Sequence, residues 1–240
     1  MTLRKNQRRD LGDESMKKIL LALVLPCMAM AWSAMAAGQA SAGQASAPSL
    51  DDQLFTAAES GDGATVAQLL DKGAHIDAIG QGGATPLIVA SAMDKTNVVK
   101  LLLARGANTE IKDNLTDTAL LYAIMTSNYD EASMLLAKGA NVNVQEKDGL
   151  SPLMMGVVSG SVDLVKLLLD NAAKTELADS HGITALMGAS GGGLIEIVKM
   201  LLDRGANINA KSDDGTTALK LAESNGKTEV AALLRARGAQ

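Results

Sequence analysis

Side chains that could do chemistry are sparse in this 240-residue chain. Its two histidines, His75 and His181, fall at different points of the repeating pattern described below, so a shared metal or a catalytic triad is not expected from them. Ser224-Asn225-Gly226-Lys227 has the S-x-x-K spacing, but no S-D-N or K-T-G companion accompanies it. Gly80-Gln81-Gly82-Gly83 and Gly191-Gly192-Gly193 are glycine-rich, yet neither follows a strand and opens a helix within a βαβ unit, so neither reads as a phosphate cradle. Asp213-Asp214-Gly215 has the start of a calcium loop without its remaining ligands. All of these read as turns. No catalytic residue, cofactor site or metal site is expected, and the chain is not expected to be an enzyme.

The elements that must position these residues are copies of one unit. The leucine at 186 recurs at 54, 87, 120, 153 and 219, and the Gly-Ala at 205 recurs at 73, 106, 139 and 238, with Ala172-Ala173 filling the gap. Both series step by 33 residues, a period that signals a stacked solenoid. Aromatic residues are 2% of the chain, so its core must be aliphatic, which suits thin and closely stacked helices.

Gly83-Ala84-Thr85-Pro86-Leu87 and Gly149-Leu150-Ser151-Pro152-Leu153 open such units. Thr118-Ala119-Leu120, Thr184-Ala185-Leu186 and Thr217-Ala218-Leu219 do so with Ala in place of Pro. Together with the apolar helix Val98-Val99-Lys100-Leu101-Leu102-Leu103 and the Gly-Ala-Asn endings, these residues resemble the ankyrin repeat. The resemblance implies an all-α repeat solenoid of about six helix-turn-helix units joined by β-hairpin-like fingers, near 50–78, 79–111, 112–144, 145–177, 178–210 and 211–240. Thr at the helix start caps free N–H groups, Pro has its φ preset, and Gly after the second helix takes a left-handed cap. Asn171-Ala172 lacks that glycine and should be weaker or differently capped. One departure from the family is systematic. Its usual histidine is here Phe55, Ile88, Leu121, Met154, Met187 or Lys220, so the side-chain bond of that histidine should be missing in every repeat.

The resemblance also implies a concave strip, made of finger tips and the exposed side of the first helices, on which family members bind protein partners. Carried over by position, its finger residues are Gln81, Lys112, Asn114, Leu115, Gln145, Lys147, Leu150, Ser180, His181, Ile183, Lys211 and Asp213. The helices contribute Met93, Met125 and Val158. Leu115, Met125, Leu150, Val158 and Ile183 are apolar where the family is often polar. They either form an interface or fold back on the neighbouring finger.

Ahead of the repeats, Met16-Lys17-Lys18, an apolar run from Ile19 to Ala31 and Ala34-Met35-Ala36 have the order of a secretory signal peptide, cleaved after Ala36. The expected start is Met16, with residues 1–15 an over-long beginning. An uncleaved anchor and a lipidated Cys27 are the alternatives, and Pro26 directly before the cysteine argues against the second. Residues 37–49, built on a doubled Gly-Gln-Ala-Ser-Ala, are the expected linker to a repeat domain at 50–240. Beyond position 36 there remain 16 Lys+Arg against 24 Asp+Glu, a net charge of −8, and no cysteine. That composition excludes thiol chemistry and disulfides and opposes phosphate contacts, so nucleic acid is not an expected partner. The expected protein is monomeric and periplasmic or secreted, without a stable membrane span after cleavage. It would bind a protein as an accessory or protective factor for a periplasmic enzyme; the alternatives are an immunity protein for an exported toxin and, behind it, an enzyme or small-ligand binder, which would need a pocket of clustered polar groups.

Overall fold

The computed structural model describes residues 47–240; the expected signal peptide and all but the last three residues of the expected linker lie outside them. The unit from Pro48 to Gln240 consists of six helix pairs. In chain order these are α1 (Leu50–Ser60) with α2 (Gly63–Asp71), α3 (Pro86–Ala92) with α4 (Thr96–Ala104), α5 (Ala119–Met125) with α6 (Tyr129–Ala137), α7 (Pro152–Ser159) with α8 (Val162–Asp170), α9 (Ala185–Gly192) with α10 (Ile195–Asp203), and α11 (Ala218–Ser224) with α12 (Thr228–Ala236). The first members stack on one another as an inner layer, and the second members form an outer layer.

Each inner helix is only seven to eleven residues long, too short to be stable alone. Packing holds it. Leu54, Leu87, Leu120, Leu153 and Leu186 are at most 1% exposed, and the small residues Ala58, Ala90, Ala123, Gly156 and Ala189 behind them are buried too. An added Cβ at Gly156 would lie 3.2 Å from Leu168 of α8, so this pair of helices meets closely. Outer helices bury one face, for instance Leu164, Val165, Leu168 and Leu169 of α8, and turn Lys166 and Asp170 to solvent.

The helix ends follow the expected chemistry with two exceptions. Thr85, Ser151, Thr184 and Thr217 accept from the backbone N–H three residues on, and Pro86 and Pro152 open their helices. Thr118 makes no such bond; its hydroxyl is buried with no partner among the described residues. Ser49, placed by its sequence in the linker, is the cap of α1: it accepts from Asp52 N–H while the Asp52 carboxylate accepts from Ser49 N–H. The histidine position is also partly refilled. Met154 offers its sulfur to Ser151 N–H at 3.4 Å, so repeat four keeps a weak side-chain bond there.

After the outer helices the chain turns through the left-handed region at Gly73, Gly106, Gly139, Gly205 and Gly238, and Ala172 is forced into it with φ 63°. Two outcomes follow. Leu168→Asp would place a charge at a fully buried site and should lower unfolding stability by at least about 3 kcal/mol in urea titration. Ala172→Gly should raise it by roughly 0.5–1 kcal/mol, the relief of the left-handed Cβ being partly offset by the freer unfolded chain.

Candidate functional site

Between repeats the chain makes five fingers, and backbone hydrogen bonds join three of the four neighbouring pairs. Asn114 N–H donates to the Gly82 carbonyl (2.7 Å), Ser180 N–H to Asp148 (2.9 Å) and Asp213 N–H to His181 (3.1 Å). Gly149 and Gly182 make this approach possible: both have positive φ, and a Cβ on either would lie 3.0 Å from backbone of the next finger. The fingers are tight turns with little strand character, and the described residues contain one isolated antiparallel bridge, Ala178 with Thr184.

A second tie runs at the base of the fingers. The side chains of Asp77, Glu110, Asn143, Glu176 and Asn209 accept the backbone N–H of Asn108, Asn141, Lys174, Asn207 and Gln240, each at 2.8–3.0 Å. These acceptors recur every 33 residues, a signal present in the sequence and not read from it. Asp51 extends the ladder by accepting from His75 N–H (2.8 Å) and contacting its ring, and those bonds hold the Asp51 carboxyl below its ordinary range. His75 is therefore part of an end clasp. At the other end, Ser224 closes α11 and Asn225 to Lys227 form the turn to α12, and Asp214 accepts from Ser212 Oγ and Thr216 N–H, which lowers its pKa to about 2.

The residues carried over to the strip divide into three groups. Gln81, Asn114, Leu115, Lys147, Ser180, His181, Lys211 and Asp213 are exposed on the fingers, and Val158 is exposed on α7. Met93, Met125, Leu150 and Ile183 are half-buried. Lys112 and Gln145 are engaged within the stack: Lys112 Nζ reaches the Gln145 carbonyl (3.3 Å), and the Gln145 amide donates to the Gly149 and Ala178 carbonyls at 2.6 and 3.0 Å. Two members were not singled out in the sequence. Ile79 is 61% exposed on the first finger, at the position of Lys112, and half-buried Met155 continues the methionines of the inner layer. From α3 to α9, no residue of an inner helix is charged.

The family profile described as ankyrin repeats (3 copies) matches residues 54–146, 105–179, 134–212 and 153–240. The chain belongs to the ankyrin-repeat family. No curated protein sequence matches it significantly. Among solved structures it is similar to an ankyrin repeat domain from Acinetobacter baumannii AYE, with 30% identity over 78% of this chain and 98% of that one and a TM-score of 0.74. It is also similar to a chain in the complex of the predatory endopeptidase Bd0816 from Bdellovibrio bacteriovorus with immunity protein Bd3460, at 31% identity, 77% and 97% coverage and a TM-score of 0.69. The ankyrin repeat domain of Bcl-3 is similar at 26% identity, 93% and 99% coverage and a TM-score of 0.71.

This ankyrin-repeat protein buries three acids in its third repeat, of which Asp113 is satisfied by Leu115 N–H, Asp117 N–H and the Tyr122 hydroxyl, while Glu131 and Asp117 are not. Glu131 of α6 is fully buried; Thr96 Oγ1 donates to its Oε1 (2.9 Å), while Oε2 has no partner among the described residues. Burial, only partly offset by Thr96, pushes its pKa up to about 7, and Asp94 adds to the rise. Asp117, 5% exposed in the second finger, is likewise pushed up to about 7, by burial first and then by Asp113 and Glu146. Tyr122 donates to Asp113 Oδ2 (2.6 Å); burial and that bond push the phenol upward.

The sign of the resulting pH dependence is fixed. An unfolded carboxyl releases its proton near pH 4, whereas Glu131 and Asp117 hold theirs to about pH 7, so the folded state binds more protons in between. Their contribution is greatest below about pH 4 and is lost as pH rises through about 7. Thermal unfolding should therefore show a midpoint several degrees lower at pH 8 than at pH 5.5, and Glu131→Leu should reduce that difference.

Proposed function

We propose that this chain is exported and, once cleaved of its leader, holds a partner protein against the strip formed by its fingers and inner helices, serving as an accessory or protective factor for a periplasmic enzyme. Ankyrin repeats form protein–protein interaction modules, typically non-enzymatic ones. Among the described residues no helix is long and apolar enough to cross a membrane. The observation that carries the reading is the surface of the four central inner helices. It presents Met125, Met155 and Val158, with Met93 directly after α3, and no charged residue on these helices, and the neighbouring finger adds Leu115, which is 54% exposed. Methionine adapts to the shape of an apolar partner, and an exposed apolar cluster is what an interface offers.

A second reading, neutralisation of an exported toxin, is favoured by the likeness to a chain of the endopeptidase–immunity protein complex. The two readings differ in what binding does to the partner. Affinity purification from the periplasm of the native cell, followed by mass spectrometry, should recover one dominant protein. An enzyme whose activity or lifetime is preserved by the added protein supports the accessory role, and one that is inhibited supports immunity. Leu115→Asp with Val158→Asp should abolish the capture with a melting temperature within about 2 °C of the parent, since both side chains are exposed, at 54% and 41%. Undiminished capture by that double variant rules out the strip as the interface.

A further inference from the structure

Repeat three breaks the pattern of the array at several positions, and the exceptions concentrate there. At the position of Glu131, repeats two, four, five and six carry the buried residues Val98, Leu164, Ile197 and Val230. At the position of Asp117, repeats two, four and five carry Ala84, Leu150 and Ile183. A carboxyl has thus replaced an aliphatic side chain twice within one repeat, and each leaves an oxygen, Glu131 Oε2 and Asp117 Oδ1, with no partner among the described residues.

The backbone is exceptional in the same place. The finger turn that other repeats make with Gly83, Gly149, Gly182 and Gly215 is made by Thr116 at φ 71°. The turn between helices, glycine at 61, 160, 193 and 226, is made by Ser127 at φ 58°, and in the adjoining repeat by Asp94 at φ 56°. Side chains with a Cβ adopt this region only at a cost, so three strained turns surround the two acids.

Both acids sit where repeat three meets its neighbours. Glu131 accepts from Thr96, the first residue of α4 in repeat two, and Asn128 in the same turn donates to Asp94 Oδ1 (2.6 Å) and Thr96 Oγ1 (2.9 Å). Asp94 is the charge that bears on Glu131 there. Asp117 lies in the finger whose Asn114 N–H bonds Gly82 of the previous finger and whose Lys112 bonds Gln145 of the next. The charged groups acting on it are Asp113 and Glu146, which oppose its ionisation, and Lys112, which favours it. Ionised, each acid would carry a buried charge with one oxygen unmatched, beside carboxyl groups that oppose it. In a solenoid a repeat touches only its neighbours, so a penalty at one junction weakens stacking at that point rather than throughout the array.

We propose that repeat three is the opening point of the array and that protonation of Glu131 and Asp117 sets the opening: neutral, they let the six repeats close as one stack, and ionised, they part repeat three from its neighbours. This holds whatever the strip binds. The test is hydrogen exchange of the purified full chain followed by mass spectrometry at pH 6 and pH 8, corrected for the intrinsic chemical rate. With folded-state protons released near pH 7 and unfolded-state ones near pH 4, the opening constant should grow about tenfold per acid over this range. Protection in peptides spanning 113–136 should fall by that factor at least, while peptides from α9 and α10 change little. In Glu131→Gln with Asp117→Asn, which cannot ionise, the pH dependence of those peptides should disappear. A uniform change across all repeats, constant protection in repeat three, or pH dependence persisting in the double variant would each overturn the proposal.

Discussion

Everything in this structure depends on the row of leucines at 54, 87, 120, 153 and 186, buried between successive inner helices at intervals of 33 residues. A helix of seven or eight residues has neither the length nor the hydrogen bonds to persist alone, and its apolar surface can be hidden only by the next copy of itself. Once the leucine row fixes that spacing, the finger bonds and the base ladder fall into register, because each joins atoms one period apart in the stack. The sixth repeat shows the dependence from the other side: Leu219, not covered by another inner helix among the described residues, is only half-buried.

The fold was legible because it is periodic, and periodicity is what one sequence can display without relatives. Thr85, Pro86 and Gly73 have meanings that depend on a few adjacent bonds, so their roles could be read locally. The base ladder was missed although Asp77, Glu110, Asn143, Glu176 and Asn209 are equally periodic. Acids and amides at a loop position read as solvated surface unless the N–H they face, 31 residues on, is already placed. Ser49 was missed for a related reason: as a cap it belongs to the helix after it, but its neighbours have linker composition.

The strip was legible only as a set of positions. Lys112 and Gln145 show the limit of that reading, since an amine and an amide at finger positions look available to a partner, while their reach to the next finger is a matter of three-dimensional register. Glu131 and Asp117 show a deeper limit. Each stands one residue from another acid or polar group in the sequence and looks like ordinary surface, and only alignment against Val98, Leu164 and Ala84 marks the position as one that packs inside. The exception becomes visible through the repeats, which act as the protein's own comparison set.

The same internal comparison bears on why the strip carries no charge. Glu59 of α1 stands at the repeat position of Met125 and Val158, and Ser224 of α11 stands there in the last repeat. Glu59 is half-buried and its helix is well formed, so the stack tolerates a carboxylate at that place. Leaving the position uncharged in repeats two to five is therefore not a requirement of folding. In a unit whose formal net charge is −8, a charge-free band framed by charged end repeats makes desolvation cheap along the band alone, because no ion there must shed water when a partner covers it. That is a property of use to an interface and of none to the array itself.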